Sequence, residues 1–156
     1  MTDVITVSID GMGGDNAPDM IIGGIELACK QESSVRYLLF GDERILQPLL
    51  DVNPLAKKAC EIRHTIDVVT MDDKPTTALR SGKNSSMRLA INAVKNGEAL
   101  AVVSAGNTGA LMAMATIVLK TLPGINRPAI VTSFPTQKDD CVMLDLGANI
   151  ECDADN

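Results

Sequence analysis

Tryptophan is absent from the 156 residues, and aromatics amount to 2% of the chain: Tyr37, Phe40 and Phe134. A core must therefore be built from Leu, Ile, Val, Ala and Met. With 12 glycines, that mix suits a sheet covered by helices. No apolar run reaches the roughly 18 residues that a membrane-spanning helix needs. Met1-Thr2-Asp3 is not the basic start of a secretory signal, so none is expected. There is no C-x-x-C pair. Cys29, Cys60, Cys141 and Cys152 lack zinc-site spacing and read as buried, reduced thiols of a cytoplasmic protein. The single histidine, His64, has no assignable partner, and a structural role is expected for it. No G-x-S-x-G elbow and no Cys–His pair occur, so a covalent acyl-enzyme is not indicated. Neither a repeat nor a low-complexity tract is found.

What is present is 46% hydrophobic residues, too many for a disordered chain. The length predicts a single domain spanning 1–156. The net charge of −6 is unevenly spread. Residues 74–138 carry Lys74, Arg80, Lys83, Arg88, Lys95, Lys120, Arg127 and Lys138 against the single carboxylate of Glu98. A basic middle in an acidic chain points to an anionic ligand or partner; the alternative is a scatter of charges over solvated helix faces. Nothing suggests nucleic-acid binding.

Apolar runs alternate with helical patterns. Val4 to Ile9 predicts a buried strand ending at Asp10, followed by a helix to about Lys30, capped by Asp15 or Asn16 with Pro18 and Asp19 in its first turn. Gly23-Gly24 inside that helix costs about 2 kcal/mol of propensity and predicts close packing against a neighbour. Val35 to Phe40 predicts a second strand, and Glu43 to Leu50 a short helix. Ile62 to Val69 reads as extended, in two short pieces around His64, and residues 71–82 as a long connection. Ser85 or Asn84 opens a helix that Asn96-Gly97 ends. Leu100 to Val103 is a strand, Ala110 to Leu119 a helix apolar on every side and hence central and buried. Ala129 to Thr132 and Val142 to Leu146 are further short strands. Continuous rather than alternating apolar strands mark a mostly parallel sheet with helices on both faces, a Rossmann-like α/β fold.

Ligands of such sheets sit at the carboxyl ends of strands, beside helix starts. Ser104-Ala105-Gly106 follows a strand with little side chain to block approach, and Asn107 or Thr108 can cap the next helix. Its first amides have no helical partner and suit an anion. A helix terminus contributes about 0.3–1 kcal/mol, whereas millimolar binding needs about −4 kcal/mol. Two further charge-assisted hydrogen bonds, about 1.5–3 kcal/mol each, are required, and Arg80, Lys83 and Arg88 are the nearby cations in sequence. The alternative is a cap whose small residues serve packing. Met112 and Met114 either line an acyl channel or fill core gaps, the commoner use.

"DGMGGDNAP" (10–18) is a second glycine turn. Asn16 stands where a dinucleotide fingerprint has its third glycine, so nicotinamide binding is weakly supported. Asp10 at the strand end can hold a metal, orient a ligand or cap the turn. Two more cradles are "ALRSGKNSSM" (78–87) and "LDLGAN" (144–149), with Asp145 the carboxylate of the last.

These stretches, together with "VSAGNTGALMA" (103–113) and "GINRPA" (124–129), occur in the order found in the PlsX family of bacterial phosphate acyltransferases, which the chain resembles end to end. The resemblance implies a fold similar to phosphotransacetylases and isocitrate dehydrogenases. It implies transfer of a fatty acyl group from acyl carrier protein to orthophosphate, giving acyl phosphate early in phospholipid synthesis. It further implies action in the cytoplasm, loosely attached to the membrane face in some members, usually as a homodimer. The transfer itself needs no redox cofactor, and no cofactor or metal is expected. Family members are much longer, so the chain resembles their amino-terminal portion, and an exposed strand edge and apolar surface are expected.

Combining the turns with the resemblance, Arg80, Lys83 and Asn107 are the candidate catalytic residues. Asp10, Gly13, Gly14, Asn16, Ser85, Ser86, Ser104, Gly106, Thr108, Gly109, Asp145 and Asn149 are the candidate substrate contacts. The alternative function is a catalytically incomplete module that binds phosphate or a partner.

Overall fold

In the computed structural model, which describes residues 4–125 and 128–145, the chain divides into two units, 1–119 and 120–156. The first unit holds four parallel strands in the order β3-β2-β1-β4: β1 Thr6–Asp10, β2 Arg36–Gly41, β3 Cys60–His64 and β4 Ala101–Val103. Between them run α1 Asp19–Gln31, α2 Glu43–Asp51, α3 Pro54–Ala59, α4 Pro75–Ser81 and α5 Ser86–Lys95, with α6 Thr108–Leu119 after β4. The α/β reading and the parallel sheet are borne out.

Strand alternation decides which helix meets which face. Tyr37 and Leu39 of β2 and Ile9 of β1 pack with Ile22 and Ile25 of α1 and Leu46 and Leu50 of α2. Leu38 and Phe40 point the other way, onto Ala90 and Ala93 of α5. On that face Ser8, fully buried, donates to the Ala90 carbonyl (2.8 Å). Small residues thus let α5 lie close to the sheet. A third cluster joins α4, α5 and α6 through Ala78, Met87, Ile91, Ala110 and Met114.

Several expectations are corrected. The 71–82 connection contains α4, whose Pro75 at the helix start supplies a preset φ. Helix α3 was not foreseen; Pro54 again opens it, and the Glu26 carboxylate accepts from the Ala56 amide (2.8 Å). Helix α1 starts at Asp19 with Pro18 at its cap, later than Asp15 or Asn16. Beyond β3 the segment to Val69 forms no second strand. Gly23 and Gly24 pack against nothing: a Cβ at either would find no atom within 4 Å. Helix α6 is one-sided, with Ala110, Met114 and Val118 buried but Ile117 58% exposed. Met114 fills the core, while Met112 is half-buried. Cys29 is buried, but Cys141 is exposed; Cys152 lies outside the described residues. Burial pushes the Cys60 thiol up to about 12, so it stays protonated and unreactive.

His64 has a structural place. Its Nδ1 accepts from the Glu43 amide (3.1 Å) at the start of α2, which puts the imidazole proton on Nε2. Asp42 caps the same helix, accepting from the Arg44 amide, and the Arg44 guanidinium grips both its oxygens (3.0 and 2.7 Å). These Arg44 bonds hold the Asp42 carboxyl down at about 2, against the opposing effect of its burial. An unfolded Asp titrates near about 3.9, so the folded pKa lies below the unfolded one. The stabilisation is therefore complete above about pH 5 and is lost as pH falls through about 2. Arg44→Ala should lower the urea midpoint at neutral pH, and that deficit should close on acidification towards pH 2.

The second unit holds a hairpin of β5 Val131–Pro135 and β6 Asp140–Leu144, antiparallel to each other. The two late strands were expected as members of the parallel sheet. They begin near the expected positions but pair with one another, because only a short turn separates them. Among the described residues, no helix is long and apolar enough to cross a membrane.

Candidate functional site

The strand order places β1 between β2 and β4. The chain leaves β1 towards β2 and later returns across the sheet to β4. The crevice between the carboxyl ends of β1 and β4 is therefore a topological switch point, where open α/β sheets take ligands. Two glycine turns meet there. A Cβ on Gly13 would stand 3.2 Å from the Gly106 Cα, and one on Gly106 would stand 3.1 Å from the Gly13 Cα. Gly14, at φ +115°, packs against Ala105 in a conformation that favours glycine.

Asp10 lies beneath the contact, 1% exposed. One oxygen accepts from the Ser86 hydroxyl (2.6 Å), the other from the Ser104 hydroxyl (2.7 Å). Ser104 in turn accepts from the Gly106 amide (3.1 Å). One carboxylate thus ties the turn after β1, the start of α5 and the turn after β4. Buried charge needs such partners, and both oxygens are spent on them.

Asn107 is committed in the same way. Its Oδ1 accepts from the Ala110 amide (3.0 Å), capping α6. Its Nδ2 faces three carbonyls, of Thr70 (3.2 Å), Met71 (3.1 Å) and Asp73 (2.8 Å). This side chain clamps the 70–73 loop against α6, which fixes the approach to α4. Gly109 completes the fit, since a Cβ there would press on Pro75 at 3.0 Å. Ser85 caps α5, accepting from the Arg88 amide (3.3 Å) and donating to the Gly82 carbonyl (2.7 Å).

What remains without a partner at the switch point is main chain. Among the described residues, the amides of Gly13, Gly14, Asn107, Thr108 and Gly109 meet no acceptor. Thr108 and Gly109 are exposed in the first turn of α6, where the helix dipole favours an anion. Arg80 and Lys83 are exposed on α4 and in the turn after it, and neither forms an ion pair among the described residues. Asn16 is exposed, with its carbonyl accepting from the Met20 amide (3.1 Å).

The sequence-derived residues therefore separate into groups. Asp10, Gly13, Gly14, Ser86, Ser104, Gly106, Asn107, Thr108 and Gly109 come together, linked by the bonds and approaches above. Asp145 belongs to the second unit, buried and in the left-handed region at φ 58°. Asn149 lies outside the described residues. The clamp on residues 70–73 was missed; its only trace in the sequence is an Asn at a helix cap.

The chain matches the family model described as "Fatty acid synthesis protein" over residues 5–156. The chain belongs to this family. It is 58% identical over its whole length to the phosphate acyltransferase of Rhodospirillum centenum, covering 44% of that protein. It is 54% identical over its whole length to the phosphate acyltransferase of Rhodospirillum rubrum, covering 45% of it. The corresponding enzyme of Paramagnetospirillum magneticum is 52% identical over the same span, at 44% coverage. The chain thus spans under half the length of the curated relatives it matches. The resemblance drawn from the five glycine-rich stretches is borne out at the level of family.

Proposed function

We propose that the chain carries the phosphate-binding part of an acyltransferase that moves a fatty acyl group from acyl carrier protein to orthophosphate. The observation that supports this most directly is the pair of glycine turns closed on each other at the switch point, with unpartnered amides on both. An oxyanion held there meets donors already fixed by Asp10, Asn107 and α6. Fixed donors are what charge stabilisation requires, because they need no reorganisation as charge develops.

In this reading orthophosphate binds the amides of Gly13, Thr108 and Gly109, with Arg80 and Lys83 offsetting its charge. A phosphate oxygen attacks the thioester carbonyl carbon. The new C–O bond forms, the carbonyl electrons pass to an oxyanion held by the remaining amides, and collapse breaks the C–S bond. The electron pair leaves on the carrier thiolate, which takes a proton from solvent, and the product is acyl phosphate. Holding the two reactants together supplies much of the rate. Asn107 acts here by positioning, since its side chain is already bonded. Acidic carrier protein docks on the basic surface that includes Lys74, Arg80 and Lys83. The reading places the enzyme in the cytoplasm, as a homodimer.

The test is phosphate-dependent release of carrier thiol from acyl carrier protein, with acyl phosphate as coupled product. Charge reversal, Arg80→Glu with Lys83→Glu, should raise the phosphate or carrier KM by about tenfold or more, in proportion to about 1.4 kcal/mol of lost binding. Unchanged KM for both substrates would remove these cations from the site. Phosphate binding without thiol release, in this chain and in a full-length relative alike, would instead leave a binding module without turnover.

A further inference from the structure

Lys83 sits in a turn that is held more firmly than an exposed lysine requires. The turn joins α4 to α5, and Lys83 is exposed in it, with no ion pair among the described residues. Its neighbours on both sides are fixed. Before it, the Gly82 amide donates to the Ala78 carbonyl (2.8 Å), and the Gly82 carbonyl accepts from the Ser85 hydroxyl (2.7 Å) and amide (3.2 Å). A Cβ on Gly82 would stand 2.6 Å from the Ala78 carbonyl oxygen and 3.1 Å from the Met114 methyl, so packing closes on it too. After it, the Asn84 carbonyl accepts from the Thr65 hydroxyl (2.6 Å). Thr65 lies just past the end of β3, 8% exposed, and its amide donates to the Gly41 carbonyl (2.9 Å). Its hydroxyl oxygen also accepts from the Asp67 amide (3.4 Å), and the Asp67 carbonyl accepts from the Ser86 amide (3.0 Å).

We infer that Thr65 is a positioning residue for phosphate, acting through Lys83; the inference rests on the phosphate reading above. A solvated lysine on a surface turn needs no fixed backbone, since such segments are ordinarily mobile. A lysine that must meet an anion gains from one. On a loose turn the backbone gives up its freedom when the anion binds, and affinity falls accordingly. On this turn that freedom is already given up in folding. The bonds between Gly82 and Ser85 lie within the turn and set its shape. The Thr65 bond comes from the end of β3, 19 residues away in sequence, and sets where that shape stands on the sheet.

A purely structural role for Thr65 predicts a different outcome. In that case the segment after β3 would only seat the start of α5, so that Ser86 stays on Asp10, and Lys83 would play no part in its effect. Two substitutions and a double variant separate the roles. Thr65→Val nearly keeps the shape but removes the donor to the Asn84 carbonyl. Thr65→Ser keeps the donor.

The experiment titrates orthophosphate into the 156-residue chain by amide NMR, reading Thr108 and Gly109. It compares wild type, Thr65→Val, Thr65→Ser, Lys83→Ala and the double variant Thr65→Val/Lys83→Ala. Thr65→Val should weaken binding about fivefold or more, the scale of ordering one residue's backbone. Thr65→Ser should bind within about twofold of wild type. With Lys83→Ala already present, Thr65→Val should cost nothing further, because the cation it positions is gone. Wild-type binding by Thr65→Val or by Lys83→Ala would overturn the proposal. So would a full further loss from Thr65→Val on top of Lys83→Ala, since Thr65 would then act through Ser86 and Asp10. If Thr65→Val does not fold, nitrogen-15 relaxation of the wild type decides. An order parameter at Lys83 near about 0.85, as in rigid backbone, supports the proposal, and one below about 0.6 overturns it. No phosphate shift in the wild type would bring down the phosphate reading and this inference with it. Shifts that Thr65→Val leaves untouched would sink the inference alone.

Discussion

Asp10→Ala is expected to destabilise the first unit by about 3–5 kcal/mol, read as a lowered urea midpoint at unchanged slope. The carboxylate accepts from Ser86 and Ser104 in a place where it is 1% exposed. Hydrogen bonds to charged groups contribute about 1.5–3 kcal/mol each, and alanine removes both. It also strands the Ser86 hydroxyl, which has no other partner among the described residues. A domain's whole stability is about 5–15 kcal/mol, so the loss is a large share of it. Asp10→Asn separates shape from charge. The amide keeps one acceptor oxygen and can donate to the other serine, so the expected cost falls to about 1–2 kcal/mol. Hydrogen exchange at the Gly106 amide should quicken in the alanine variant, because Ser104 would no longer be held in place to accept from it. An alanine variant within about 0.5 kcal/mol of wild type would mean that the serines find other partners and that Asp10 holds nothing together.

The same node shows how far the sequence could be read. Strands β1, β2 and β4 and helices α5 and α6 were legible because each is an apolar run followed by its own turn chemistry, such as Ser85 or Asn107 at a cap. Helix α4 was not. "DDKPTTALRSG" has the composition of a loop, and what holds it helical is Ala78 packed with Met114 and the Asn107 clamp before it. Tertiary contact overrode propensity there. The antiparallel hairpin was misread as more parallel sheet because a short apolar run fits either pairing. At the site, each glycine turn was visible alone, but their assembly was not. Asp10 meets Ser86 across 76 residues and Ser104 across 94, and no local pattern carries such a pairing. Ser86 at a helix start and Ser104 after a strand end look like ligand contacts, whereas both hydroxyls are bound to a buried carboxylate. The amides left over, not the side chains, are what the crevice offers.

Gly13→Ala should be nearly as damaging as loss of Asp10, at about 2–4 kcal/mol, through the opposite error of too many atoms rather than too few. The added methyl would fall 2.3 Å from Asp10 Oδ2 and 3.2 Å from the Gly106 Cα. Neither neighbour can yield cheaply, since the carboxylate is bonded by two serines and Gly106 is backbone. The two turns must separate, and the amides at the switch point separate with them. Gly23→Ala is the matched control. Nothing stands within 4 Å of its Cβ, so the same methyl should stabilise α1 by about 0.5–1 kcal/mol. One substitution with opposite signs at two glycines cannot be explained by propensity alone. The double variant Asp10→Ala/Gly13→Ala gives the sharper test. Removing the carboxylate clears the space that the methyl needs, so the combined loss should fall short of the sum by about 1 kcal/mol or more. Strict additivity would show that the methyl strains something other than Asp10. The contact between the two turns would then not depend on the buried carboxylate beneath it.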